Sequence, residues 1–120
     1  MAIPDVHEDT ATMGAMAVMQ LIDRNGLDPR TIGRMYLGTE SSLYGAKPTA
    51  TYIVDMLTQR YAERFGKDCF QTCDVVDMTF ACIGAVDALH TTLDWVARSN
   101  ETDERLGIVI FSDNAKYNLE

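Results

Sequence analysis

Two residues have the types and settings from which covalent catalysis can be built. Cys82 lies in Met78-Thr79-Phe80-Ala81-Cys82-Ile83-Gly84-Ala85, where an apolar run ends and a helical pattern begins. A thiol at a helix N-terminus sits among backbone N–H groups that have no helical partner, at the positive end of the helix dipole. Both favour thiolate over thiol, and the thiolate is the nucleophile. The same N–H groups suit the oxyanion that forms when a thiolate attacks a thioester carbonyl. Gly84 and Ala85 are small enough to leave space for a substrate to reach the backbone. The second residue is Glu40, in Gly38-Thr39-Glu40-Ser41-Ser42. A carboxylate at a strand end can be partly buried, which suits it to general acid–base work. Position alone leaves both open, since core thiols and solvated loop carboxylates are the commoner fates of such residues.

Other titratable residues fit chemistry less well. His90 sits on the helix expected after Cys82, about 12 Å along its axis, too far to exchange a proton with it. His7 precedes the first helix and reads as exposed. Cys69 and Cys73 read as packing thiols near a loop, and their C-x3-C spacing without a second ligand pair points to no metal site. Asp113, Lys116 and Tyr117 follow the last strand, but their spacing assigns them no role.

The elements that must position Cys82 and Glu40 follow from periodicity. Ala15, Val18, Met19 and Ile22 recur at helical spacing, so a first helix is expected over 10–25, capped by Asp9 or Thr10 and ended by Gly26. A strand is expected over 34–39. Pro48 suits the first turn of a second helix, with Ile53, Met56 and Leu57 on one face and Gly66 just past its end. A second strand reads over 73–78. A third helix follows over 83–98, with Val86, Leu89, Leu93 and Val96 as its buried stripe, and 100–104 reads as a polar turn. The continuous apolar run 106–111 has the pattern of a strand buried on both faces. The order α-β-α-β-α-β implies an α/β fold, a parallel or mixed sheet covered by helices. In such sheets chemistry gathers at the C-terminal ends of the strands. Glu40 follows the first strand and Cys82 the second.

Composition narrows the class. With 120 residues, 47% of them hydrophobic and 23% charged, the chain suits one domain around a single core. No apolar stretch is long enough to span a bilayer, and residues 1–9 lack the basic and apolar regions of a signal peptide. A cytoplasmic protein is expected. The net charge of −8, with ten scattered Lys and Arg, leaves no footprint for nucleic acid. Three cysteines make an odd count and argue against a disulfide framework.

Taken in order, several short stretches resemble a known family. They are Glu8-Asp9-Thr10-Ala11-Thr12-Met13, Gly38-Thr39-Glu40-Ser41-Ser42, Lys47-Pro48-Thr49, Phe80-Ala81-Cys82 and Ser112-Asp113-Asn114-Ala115-Lys116-Tyr117. The set is similar to the hydroxymethylglutaryl-CoA synthase family among thiolase-like condensing enzymes, and covers nearly the whole chain. The resemblance implies that residues 1–120 are part of the N-terminal half of a thiolase-like fold, with a mixed β-sheet covered by helices. It implies an acyltransferase of the mevalonate and isoprenoid route, with acetyl-CoA and acetoacetyl-CoA as substrates and no cofactor or metal. Cys82 would carry the acetyl group and Glu40 would act as general acid/base. The family's downstream histidine and asparagine have no counterpart in these residues, so a missing second half or a companion chain is expected to supply them. A homodimer is expected as well, since family members are homodimers. A related condensing enzyme of polyketide or fatty-acid pathways, or a non-catalytic scaffold subunit, are the alternatives.

Overall fold

The computed structural model describes residues 8–99 and 104–114. His7, Lys116, Tyr117 and most of the turn expected over 100–104 lie outside them.

Helix α1 spans Thr10–Asn25. Its start is fixed reciprocally: the Asp9 carboxylate accepts the Thr12 amide at 2.8 Å, and the Asp9 amide donates to the Thr12 hydroxyl at 2.8 Å. Its end is Gly26 at φ 58°, a left-handed conformation natural to glycine. Strand β1 runs over Ile32–Gly38, helix α2 over Thr49–Phe65, and strand β2 over Asp74–Met78. A 3-10 turn, Ala81–Ile83, then leads into helix α3, Gly84–Ser99, and strand β3 covers Leu106–Phe111.

The sheet order is β2-β1-β3, and both pairings are parallel. The chain leaves β1 for one neighbour through α2 and returns past it to the other through α3. Crossovers of one hand in opposite directions put their helices on opposite faces. Accordingly, Met35, Leu37, Ile108 and Ile110 pack with Ala15, Val18, Ile22, Ile53 and Leu57 of α1 and α2. Apart from Ala15, each of these side chains contributes roughly 1.5–3 kcal/mol by leaving water. The α/β architecture is the expected one, and the site's two strands are neighbours in it.

Two expectations about burial are corrected. The large apolar residues of α3 do not form its buried stripe: Val86, Leu89 and Leu93 are 47%, 41% and 56% exposed. Its buried residues include Ala85, Ala88 and Thr92. The cause is the sheet beneath. Built-in Cβ atoms at Gly38 and Gly107 would meet Ala85 at 2.1 Å and Thr92 at 2.5 Å. The glycines let α3 settle on its small residues and on Trp95, whose ring lies over Gly33 and Gly107, and this turns Val86, Leu89 and Leu93 outward. For the same reason β3 is not buried on both faces. Ile108 and Ile110 are buried toward α1 and α2, while Phe111 is 66% exposed.

Candidate active site

The site begins with the parallel register. Gly38 at the end of β1 pairs with Met78 at the end of β2, and the Thr39 amide continues the ladder to the Met78 carbonyl at 3.1 Å. Glu40 and Cys82 therefore leave the sheet from adjacent strand ends. A Cβ on Gly84 would lie 2.3 Å from the Met78 carbonyl oxygen, so the start of α3 folds back directly onto β2. Gly84 thus admits the protein's own backbone, where Gly84 and Ala85 suggested space for a substrate, and Gly38 admits the backbone of Ala85 itself.

Cys82 Sγ donates a weak hydrogen bond to Glu40 Oε2 at 3.8 Å. The two expected residues meet, although they are 42 positions apart. Their surroundings differ from expectation. Both side chains are exposed, so Glu40 is not partly buried. Cys82 sits within the 3-10 turn ahead of α3, rather than in the first turn of a buried helix.

The Glu40 backbone is firmly held. Asp113 Oδ1, just past β3, accepts from the Thr39 hydroxyl at 2.7 Å, the Glu40 amide at 2.7 Å and the Ser41 hydroxyl at 2.9 Å. The Ser41 amide is shared between Thr39 Oγ1 at 3.0 Å and Asp113 Oδ1 at 3.2 Å. Ser41 Oγ in turn accepts the Asn114 amide at 2.8 Å. A single carboxylate oxygen thus gathers donors from three successive residues of the β1 exit. Its spacing carries no mark of this role. The available signal is a Ser-Asp pair directly after an apolar strand, at the sheet end where polar groups converge.

Asp77 of β2 does similar work on the next element. Its two oxygens accept the amides of Thr49 and Ala50 at 2.6 and 3.0 Å. They satisfy the first turn of α2, whose N-cap position is Pro48 and has no side-chain cap.

The remaining titratable residues stay apart from this pair. His90 is exposed on α3, well along the helix. Cys69 is buried, and burial raises its thiol above the ordinary range. Burial, reinforced by the neighbouring Asp74 charge, pushes Cys73 up to about 12. Both behave as packing thiols.

A parallel sheet with helices on both faces is the arrangement expected of part of a thiolase-like fold, and the likeness to solved structures bears that fold out. The solved structure of MvaS in complex with 3-hydroxy-3-methylglutaryl coenzyme A superposes with a TM-score of 0.82 at 29% identity, over 99% of this chain and 26% of that one. PksG, an HMG-CoA synthase from Bacillus subtilis, gives a TM-score of 0.76 at 21% identity, over 98% and 27%, a likeness of fold.

The chain belongs to the hydroxymethylglutaryl-CoA synthase family, whose N-terminal family model, "Hydroxymethylglutaryl-coenzyme A synthase N terminal", matches residues 1–120. The hydroxymethylglutaryl-CoA synthase of Haloferax volcanii is 37% identical over 116 residues, which are 97% of this chain and 25% of that protein. Synthase A of Dictyostelium discoideum is 33% identical over 117 residues, 98% and 22% respectively. The chain therefore spans about a quarter of the length of these relatives.

Proposed function

We propose that this chain supplies the nucleophile and the acid/base group of a Claisen-type condensation giving 3-hydroxy-3-methylglutaryl-CoA. Cys82 attacks the carbonyl of acetyl-CoA, forming an acetyl thioester and releasing CoA as its thiol. Glu40 takes a proton from the acetyl methyl group. The resulting carbanion equivalent attacks the ketone of acetoacetyl-CoA, and the new alkoxide takes up a proton. Water then cleaves the thioester to Cys82, releasing the product and restoring the thiol. Covalent catalysis here divides one hard condensation into easier steps.

The observation that carries this reading is the approach of Cys82 Sγ to Glu40 Oε2 at 3.8 Å. Family membership and the hydroxymethylglutaryl-CoA complex of the solved relative MvaS support it. The rest of the acyl-CoA pocket, with the histidine and asparagine that the resemblance implies, comes in this proposal from polypeptide matching the remainder of the relatives. In this proposal the reaction belongs to the mevalonate route to isoprenoids. A cytoplasmic setting accords with three free thiols. Among the described residues, no helix is long and apolar enough to cross a membrane.

The outward stripe of α3 supports an assembled protein, either a homodimer or a complex with a companion chain. Contiguous apolar surface and open sheet edges favour association. Light scattering on the eluting protein tests this, and a monomer at micromolar concentration contradicts it. For the chemistry, radiolabelled acetyl-CoA should mark Cys82 in the native chain, alone or with its remaining polypeptide. Absence of label under both conditions sinks the proposal.

A further inference from the structure

Thr10 has a hydroxyl that its own helix does not require. Asp9 and Thr12 already cap α1 between them. Thr10 is nevertheless 1% exposed, and a buried hydroxyl needs partners. Its Oγ1 donates to the Ser41 carbonyl at 3.0 Å and lies 2.9 Å from Ser41 Oγ. The Thr10 carbonyl meanwhile accepts the Ser112 hydroxyl at 2.8 Å. The first turn of α1 is thereby tied to both strand exits that flank Glu40.

We propose that Thr10 is a positioning residue: its hydroxyl, acting through Ser41, holds Glu40 against Cys82. Asp113 grips the loop from the β3 side, at Thr39, Glu40 and Ser41. Thr10 grips it from the α1 side, at Ser41. With the residues on either side of Glu40 pinned, its Cα cannot drift from Cys82. Without the Thr10 hydroxyl, Ser41 is held from one side only, and the Glu40 carboxylate spends less time beside the thiol. Small misplacements of this kind are costly to reactions that depend on fixed geometry. The functional meaning of this tie rests on the reading that Cys82 and Glu40 react together.

The test reads the carboxylate's position directly. Cys82 is alkylated with neutral iodoacetamide and with anionic iodoacetate, and modification is followed at that cysteine by peptide mass spectrometry. The ratio of the two rates cancels the fraction of reactive thiol and reports the negative charge beside it. In the native chain the ratio should exceed that of Glu40→Gln about fivefold, the scale of one charge–charge contact near a wet surface. Thr10→Val should fall to the Glu40→Gln ratio, and Thr10→Ser should keep the native one. Thr10→Ala also removes the hydroxyl, without the bulk of a second methyl, and should fall too, so it decides the matter if Thr10→Val does not fold. A native ratio in Thr10→Val, or in Thr10→Ala where that variant must decide, overturns the proposal, as does equality of native and Glu40→Gln. Acetyl transfer from labelled acetyl-CoA tests the catalytic reading separately, because the alkylation ratio responds whether or not Cys82 accepts an acetyl group.

Discussion

A Cβ placed on Gly38 would lie 2.1 Å from the backbone nitrogen of Ala85, so the first turn of α3 rests on the end of β1 with no side chain between them. That contact is backbone against backbone, and neither side can rotate away. Gly38→Ala should therefore lower stability by about 3 kcal/mol, the upper range for overpacking a tight interior. Gly45→Ala is the control, since nothing lies within 4 Å of its added methyl. Urea unfolding should show a large loss for the first and almost none for the second.

Asp113 is predicted to order the exit from β1. Asp113→Ala removes the acceptor from the Glu40 amide and from the hydroxyls of Thr39 and Ser41. A stability loss of about 1–2 kcal/mol is expected, in line with losing hydrogen bonds to a charged group. Hydrogen exchange at the amides of 40 and 41 should quicken well beyond any global change. Unaltered exchange there would contradict the role.

The three thiols should differ in reactivity. Cys82 is exposed, Cys69 is buried, and Cys73 is pushed up to about 12 by burial. At pH 8, iodoacetamide should modify Cys82 while leaving the other two largely intact. Unfolding in guanidinium should erase the difference. Preferential labelling of Cys73 in the native protein would contradict the burial argument.

Asp23 links α1 to α2 far from the site, accepting from the Tyr61 hydroxyl at 2.7 Å and from Arg60 at 2.9 Å. The Tyr61 hydroxyl first, then Arg60, holds its carboxyl below the usual value of 3.8. A lowered folded-state value means stability that is present above the ordinary carboxylate range and lost as pH falls through the folded value. Asp23→Asn should therefore melt slightly below the native chain at neutral pH. The gap should close as pH drops below 3.8 toward the lowered value. A gap that widens in acid would reverse the sign and refute the linkage.

Much of this fold was legible in the sequence because its elements are strongly periodic and cleanly punctuated. The helix over 10–25 and its Gly26 stop coincide with the observed α1, and the apolar run 106–111 coincides with β3. What periodicity could not reveal is which surface covers an apolar face. The stripe of Val86, Leu89 and Leu93 is a true stripe, yet the sheet beneath α3 is met by Ala85, Ala88 and Thr92. Apart from Trp95 over Gly33 and Gly107, that packed side is made of small residues, which carry little hydrophobic signal. Glu40 and Cys82 were legible because each follows a recognisable strand. Asp113 was not, because its partners lie 72 to 74 positions upstream and local pattern carries no trace of them.

The parallel pairing of Gly38 with Met78 has a consequence for how such proteins can vary over time. Glu40 and Cys82 hang from neighbouring strand ends, while most of the chain between them runs away from the sheet and back through α2. The return passes through a turn held by local bonds (the Cys69 amide to the Gly66 carbonyl, Gln71 to Asp68, and Cys73 to Phe70), with Cys69 and Phe70 buried and residues 66–68 and 71–72 exposed. Residues gained or lost at its exposed positions lengthen or shorten the route without moving either destination. Separation along the chain can therefore change while separation across the strand ends stays the same.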